Sequence, residues 1–248
     1  MSTSLFDYRD NRFSGTFRSV DLSTSSTDKI NFTIPNFSQT SFTIMIWYYM
    51  VSQQSSFTPV VISVSDGTNF SSLQIATNSQ IPAINNPFAS SSSSLTFTLK
   101  KWYNLALVGS PTANTMYIRT RSTNYTVTSI HSAISGTNNV TTIGPATGYV
   151  SACKTWTYPL TASDLLRESM QRAPLSNTTK LVSYLPLADS GSALTDDVCS
   201  RALTKSGTVK TALVGPPIPE VLNPKRFFFL TPATTTKTPQ LMTMGVGS

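Results

Sequence analysis

Eleven side-chain carboxylates and one histidine are the groups this 248-residue chain offers for acid–base chemistry with ordinary pKa values at or below neutrality. A nucleophilic triad needs a base beside its nucleophile and an acid to orient that base. The lone histidine, His131, sits in Thr128-Ser-Ile-His-Ser-Ala133 and reads as a loop or strand-end residue. No G-x-S-x-G nucleophile elbow and no phosphate-binding G-x-x-x-x-G-K-[ST] loop is present. Glycoside hydrolysis needs two carboxyl groups roughly 5–10 Å apart. The close acidic pairs here are Asp7/Asp10, Asp164/Glu168 and Asp196/Asp197. Asp164 reads as a helix N-terminal residue, and Asp196 and Asp197 as turn residues. The residues therefore favour no catalytic role and no resident cofactor.

Cys153 and Cys199 have neither metal-ligand spacing nor a CxxC pattern and read as two unpaired buried thiols. Pairing between them requires a fold that brings them together. Aromatic rings could stack on sugar faces, and Tyr48, Tyr49, Trp102, Trp156 and Tyr158 are the candidates. Trp47 and Trp102 lie inside apolar runs and read as packing residues. Trp156 and Tyr158 alternate with Thr155 and Thr157, so one of the two is expected to be exposed and available to a glycan.

The net charge is +7, and five of those charges fall from Arg201 onward. So few charges on so long a tail argue against a nucleic-acid arm. No apolar stretch is long enough to span a membrane. Met1 to Asp10 has no basic and apolar segments of a secretory signal, so synthesis in a host cytoplasm is expected.

The positioning elements are strands. Charged residues make up only 12% of the chain, against about 25% in ordinary domains. Lys29 to Ile34 alternates with a period of two. Ser41 to Val51 is almost continuously apolar, as suits a central strand covered on both faces. Pro59 to Ser65, stopped by Asp66-Gly67, pairs with Ser72 to Thr77 as a hairpin. Residues 81 to 94 read as loop, and Leu95, Phe97 and Leu99 restart the alternation. Trp102 to Val108, Thr115 to Arg121, Tyr125 to Ile130, Val140 to Ile143 and Leu181 to Leu187 are further strands. Thr161 to Met170 predicts one short helix with Leu165, Leu166 and Met170 sharing an apolar face. Beyond Lys205 the periodicity fades.

Four segments resemble the laminin-G-like, concanavalin A-like jelly rolls: Phe42-Thr-Ile-Met-Ile-Trp47; Trp102-Tyr-Asn-Leu-Ala-Leu-Val108 with Met116-Tyr-Ile118; Gly148-Tyr-Val150 through Pro159-Leu-Thr-Ala-Ser-Asp-Leu165; and Leu181 through Gly191. The resemblance implies an all-β, antiparallel two-sheet jelly-roll sandwich with one short helix, over residues 13–215. An N-terminal extension (1–12) precedes it, and an extended, basic, Pro/Thr-rich C-terminal arm (216–248) follows. The family's closing strand often carries acidic residues that help hold calcium. Here it reads Gly148-Tyr-Val-Ser-Ala-Cys-Lys154, which argues against calcium.

Domains of this kind with a Pro-rich extension resemble accessory decoration or fibre proteins of tailed phages. The expected role is a non-enzymatic structural protein of a virus-like particle. Its arm would dock on a partner subunit, normally of a homo-oligomer, through Phe227, Phe228, Phe229 and Leu230 with Lys225 and Arg226 beside them. A carbohydrate-binding module contacting a surface glycan through Trp156 or Tyr158 is the alternative, and a glycoside hydrolase the third reading.

Overall fold

The computed structural model describes residues 18–34, 37–38, 41–54, 56–66, 70–86, 90–120, 123–130, 139–199, 201 and 203–218. His131 and the candidate arm residues Lys225 to Leu230 lie outside them. The strands are β1 (Ser19–Asp21), β2 (Lys29–Ile34), β3 (Phe42–Met50), β4 (Val60–Ser65), β5 (Phe70–Ile75), β6 (Pro82–Asn85), β7 (Ser90–Ser92) and β8 (Trp102–Gly109). They continue as β9 (Ala113–Arg119), β10 (Asn124–Ile130), β11 (Asn139–Ile143), β12 (Gly148–Trp156), β13 (Leu181–Leu185), β14 (Thr204–Ser206) and β15 (Lys210–Ala212). One α-helix, α1 (Ala162–Glu168), follows β12.

Two antiparallel sheets form a sandwich. The first runs β10-β9-β8-β3-β12-β1-β15, with β13 also paired to β12; the second runs β14-β2-β11-β4-β5-β6-β7. Alternation explains the core between them. Ile44, Ile46, Tyr48 and Met50 of β3 point inward with Leu105 and Leu107 of β8, and meet Ile30, Phe32 and Ile34 of β2 and Ile62 and Val64 of β4. The long run of β3 is buried on both faces because it is the central strand, flanked by β8 and β12, with a second layer packed outside it. That layer is α1 and its approach. Leu160, Leu165 and Trp156 close over Met45, Ala106 and Val108 on the outer face of the first sheet.

Four expectations need correction. Residues 81–94 are not simply loop, because they carry β6 and β7. Pro82 occupies the first position of its strand, where proline is tolerated, and the serine run forms the sheet's edge. Leu95 to Leu99 is not a strand. Phe97 is buried because it stacks on Tyr103 at 4.0 Å, while Leu99 is 38% exposed. On α1 the inward residues are Leu165 and Glu168, whereas Leu166 and Met170 are 40% and 44% exposed. Cys153 is buried as expected, but Cys199 is exposed, and both are free. Thr161 does cap α1, its side chain accepting from the Asp164 amide.

A bulge in β12 sets what faces outward. Between Ser151 and Lys154 the register with β3 shifts, and Ala152 adopts φ +50°. Ala152 joins the outer cluster around Trp47 while Cys153 turns to the main core. Lys154 therefore lands under α1.

Candidate functional site

Four of the acidic side chains are already bound to the scaffold. Asp28 is fully buried and accepts from the backbone N–H groups of Thr24, Ser25 and Thr208, tying the β1–β2 turn to the β14–β15 turn. Glu168 is 1% exposed and accepts from Lys154 Nζ at 2.6 Å and from the amides of Leu175 and Ser176. Asp196 accepts from the amides of Tyr184, Val198 and Cys199. Asp164 accepts from the Thr161 hydroxyl. Groups held this way serve as caps and staples. Among the described residues, no cluster of His, Cys, Asp or Glu is arranged to hold a metal ion, and no helix is long and apolar enough to cross a membrane.

Burial also raises the proton affinity of tyrosines near this scaffold. It pushes Tyr184 up to about 12 against the opposing pull of Arg172, and it raises Tyr48, whose hydroxyl donates to the Ala146 carbonyl at 2.6 Å. These rings are structural.

The outer face of the first sheet is different. Register brings Trp102, Tyr49 and Tyr149 side by side across β8, β3 and β12, all half-buried. The Tyr49 and Tyr149 rings stack with centroids 5.3 Å apart and planes 2° from parallel, and Trp102 tilts against Tyr49 at 5.3 Å. Each stacked tyrosine gives one ring face to the other, so less face is left for a ligand. Burial raises the pKa of both tyrosines.

One row further along the same face, Asn124, Arg119 and Asn104 lie opposite one another across β10, β9 and β8. Together with α1 they frame a groove of about 110 Å³. Its apolar side is Met45, Ala106 and Leu165, and its polar rim adds Tyr117 and Thr126. Arg119 fixes the helix wall by donating from Nη1 to the Leu166 carbonyl at 2.9 Å and to the Ser169 hydroxyl. Asn104 is only 3% exposed and lines the groove. Sequence reasoning missed Asn104 and Asn124. The signal available was their place on the outward-facing parity of β8 and β10.

Of the two residues expected to meet a glycan, Trp156 is corrected. It is fully buried under α1, and its indole N–H donates to the Ser176 carbonyl at 2.9 Å. It has no open ring face. Tyr158 is 40% exposed. It stands apart from the groove, and its carbonyl accepts from the Thr43 hydroxyl at 2.8 Å.

No family model matches the chain, and no curated protein matches its sequence. Solved structures do match in fold. A proposed carbohydrate-binding protein from Bacteroides ovatus superposes with a TM-score of 0.57 at 12% identity, over 83% of this chain and 62% of that one. The fold is the concanavalin A-like jelly roll. The native heptameric SAP-like pentraxin of Limulus polyphemus superposes at 0.52 with 10% identity, over 81% of this chain and 96% of that one. The enzymatically active domain of tailspike protein 2 from bacteriophage CBA120 gives 0.53 and 14%, over 66% of this chain. This chain spans 29% of that tailspike domain's length and 62% of the Bacteroides protein's. The neighbours thus include a proposed binding protein, a pentraxin and an enzymatically active domain, at identities that speak for fold alone.

Proposed function

We propose that the chain is a non-enzymatic structural module of a phage-like particle, with the sandwich displayed and the C-terminal arm docked on a second copy. The observation that carries this reading is the seat of Ile218. It is 3% exposed and packs with Trp47, Ala152, Ala173 and Tyr184 on the outer sheet face, with Trp102 alongside. Ile218, three residues beyond the boundary expected at 215, thus rests on the body. Thirty residues follow, rich in Pro and Thr, with Phe227 to Leu230 as their one compact apolar run. A segment of that composition cannot bury a core of its own. Beside the anchor, the indole N–H groups of Trp47 and Trp102 are buried without an acceptor among the described residues. Buried donors ordinarily find partners, which supports further chain arriving on this face. The structural use of Asp28, Glu168 and Asp196 supports the non-enzymatic part.

The test is the solution mass of the chain ending at Ile218 beside that of the full chain, by light scattering. A defined oligomer for the full chain and a folded monomer for the shortened one are expected. Equal masses for the two would remove the arm from assembly.

A further inference from the structure

We propose that residues 219–224, Pro-Glu-Val-Leu-Asn-Pro, dock extended along the outer face of their own first sheet, where the indole N–H groups of Trp47 and Trp102 donate to their backbone carbonyls. The docking goes beyond the assembly reading, because it takes place within one chain and needs no second copy.

Unpaired donors carry it. Trp47 Nε1 and Trp102 Nε1 are buried with no acceptor among the described residues. Ser151, fully buried and opposite Trp47 in the β3–β12 register, also has an unpartnered hydroxyl. Buried donors left this way are rare in folded proteins. An indole N–H can only donate, so whatever completes this face must bring acceptors. A Pro-rich backbone suits that need, since it offers a carbonyl at every residue and lacks an N–H at each proline. Residues 219–224 begin and end on proline.

The chain has already reached the face. Pro216 is buried, and Ile218 is 3% exposed among Trp47, Ala152, Ala173 and Tyr184. The next Cα follows within about 3.8 Å of that seat. From Trp47 the face continues two residues along β3 to the half-buried row of Trp102, Tyr49 and Tyr149, which crosses three strands. Two residues of strand and two strand spacings make a path of roughly 16 Å. Six residues of polyproline II cover about 19 Å. Aromatic-lined surfaces are where Pro-rich segments dock, because such segments are extended before they bind. Stacking leaves Tyr49 and Tyr149 less face for a planar ligand, but ring edges and the tilted Trp102 still offer apolar surface to proline and aliphatic side chains. Charge agrees. Glu220 is the segment's one charged residue, and Lys100 and Lys101, both exposed, lead directly into Trp102.

Docking of this kind fixes where the arm leaves the body. From Pro224 to Phe227 is three residues, a reach of about 10 Å. The partner's contact then lies beside the outer face of the first sheet. That consequence rests on the arm reading; the docking itself does not.

Paramagnetic broadening in the full-length chain tests this. A nitroxide is attached at Asn223→Cys in a Cys199→Ser background, which removes the one exposed native thiol of the described residues and leaves the buried Cys153. The indole N–H signals of Trp47 and Trp102 are expected to broaden, and to stay broadened on dilution. Adding Pro219→Gly, Val221→Gly and Leu222→Gly, which alter no described residue, is expected to abolish the broadening. In the unlabelled chain the same glycines are expected to speed exchange of the two indole protons about 10-fold, as loss of a hydrogen bond implies. Absence of broadening overturns the proposal, as does indole exchange unchanged by the glycines. Broadening that arises only between a labelled and an unlabelled chain in a mixed sample overturns it too, by assigning the face to a second copy. The Phe227→Ser, Phe228→Ser, Phe229→Ser chain is expected to keep the broadening even as a monomer, so failure here leaves the arm reading standing, and failure of the arm reading leaves the docking.

Discussion

Glu168→Leu is expected to destabilise the chain by about 3–5 kcal/mol, the cost of leaving a buried charge without its partner. Both members of the Lys154–Glu168 pair are almost wholly enclosed, with side-chain exposures of 2% and 0%. Lys154 Nζ also donates to the carbonyls of Glu168 and Gln171, at 3.1 and 2.9 Å. Burial pulls the lysine's proton affinity down and the adjacent carboxylate pulls it back up. Without Glu168 only the downward pull remains, and the amides of Leu175 and Ser176 lose their acceptor. The pair thus clamps the end of α1, and the segment after it, onto the bulge of β12. Urea unfolding with an unchanged m-value measures the loss. The double variant Lys154→Met, Glu168→Leu is expected to recover the part of the loss that comes from the stranded charge, while the unpaired amides of Leu175 and Ser176 keep it below the unaltered chain. A loss below about 1 kcal/mol in the single variant would mean that the pair is far more solvated than its enclosure indicates.

Gly148→Ala is expected to cost about 3 kcal/mol, the upper end of ordinary overpacking. A Cβ at this position would lie 2.0 Å from the Tyr49 carbonyl oxygen and 2.9 Å from the Tyr48 ring. The obstacle is backbone of the neighbouring central strand, so relief requires β3 and β12 to part where Gly148 faces Met50. Gly109→Ala is the comparison. Its added Cβ meets the Phe42 ring at 2.1 Å, and a side chain can give way where a backbone cannot. The smaller loss belongs to Gly109, and thermal melting of the two variants checks the order. The reverse order would show that the β3–β12 contact is the softer of the two.

Much of the sandwich was legible because its strands obey simple patterns. The Phe42–Met50 run has no polar face, which fits a central strand with layers on both sides. Lys29–Ile34 alternates because one face meets the core and the other does not. The missed elements break those rules for local physical reasons. β6 and β7 are built from Pro, Asn and Ser, residues that signal turns, and the second sheet's ladder holds them in place. The inward residues of α1 were not foreseen because an apolar-face rule does not anticipate a buried glutamate whose partner is 14 residues away.

The candidate site was less legible still. The outer face of β12 depends on a bulge at Ala152, which the residues Gly148 to Lys154 do not announce. Asn104, Arg119 and Asn124 come together only through the β8–β9–β10 meander, and each alone looks like an ordinary strand or turn residue. Trp156 was read as a candidate for exposure from alternation, but the layer formed by α1 and the segment after it covers both parities of that strand.

The arm's role in assembly is tested most directly by the solution mass of the full chain carrying Phe227→Ser, Phe228→Ser and Phe229→Ser together, measured by light scattering beside the unaltered chain. These changes leave every described residue untouched and remove only the arm's apolar run. The unaltered chain is expected to form a defined oligomer and the variant to be monomeric with an unchanged melting temperature. An oligomer of the same mass in both would contradict docking through Phe227 to Leu230.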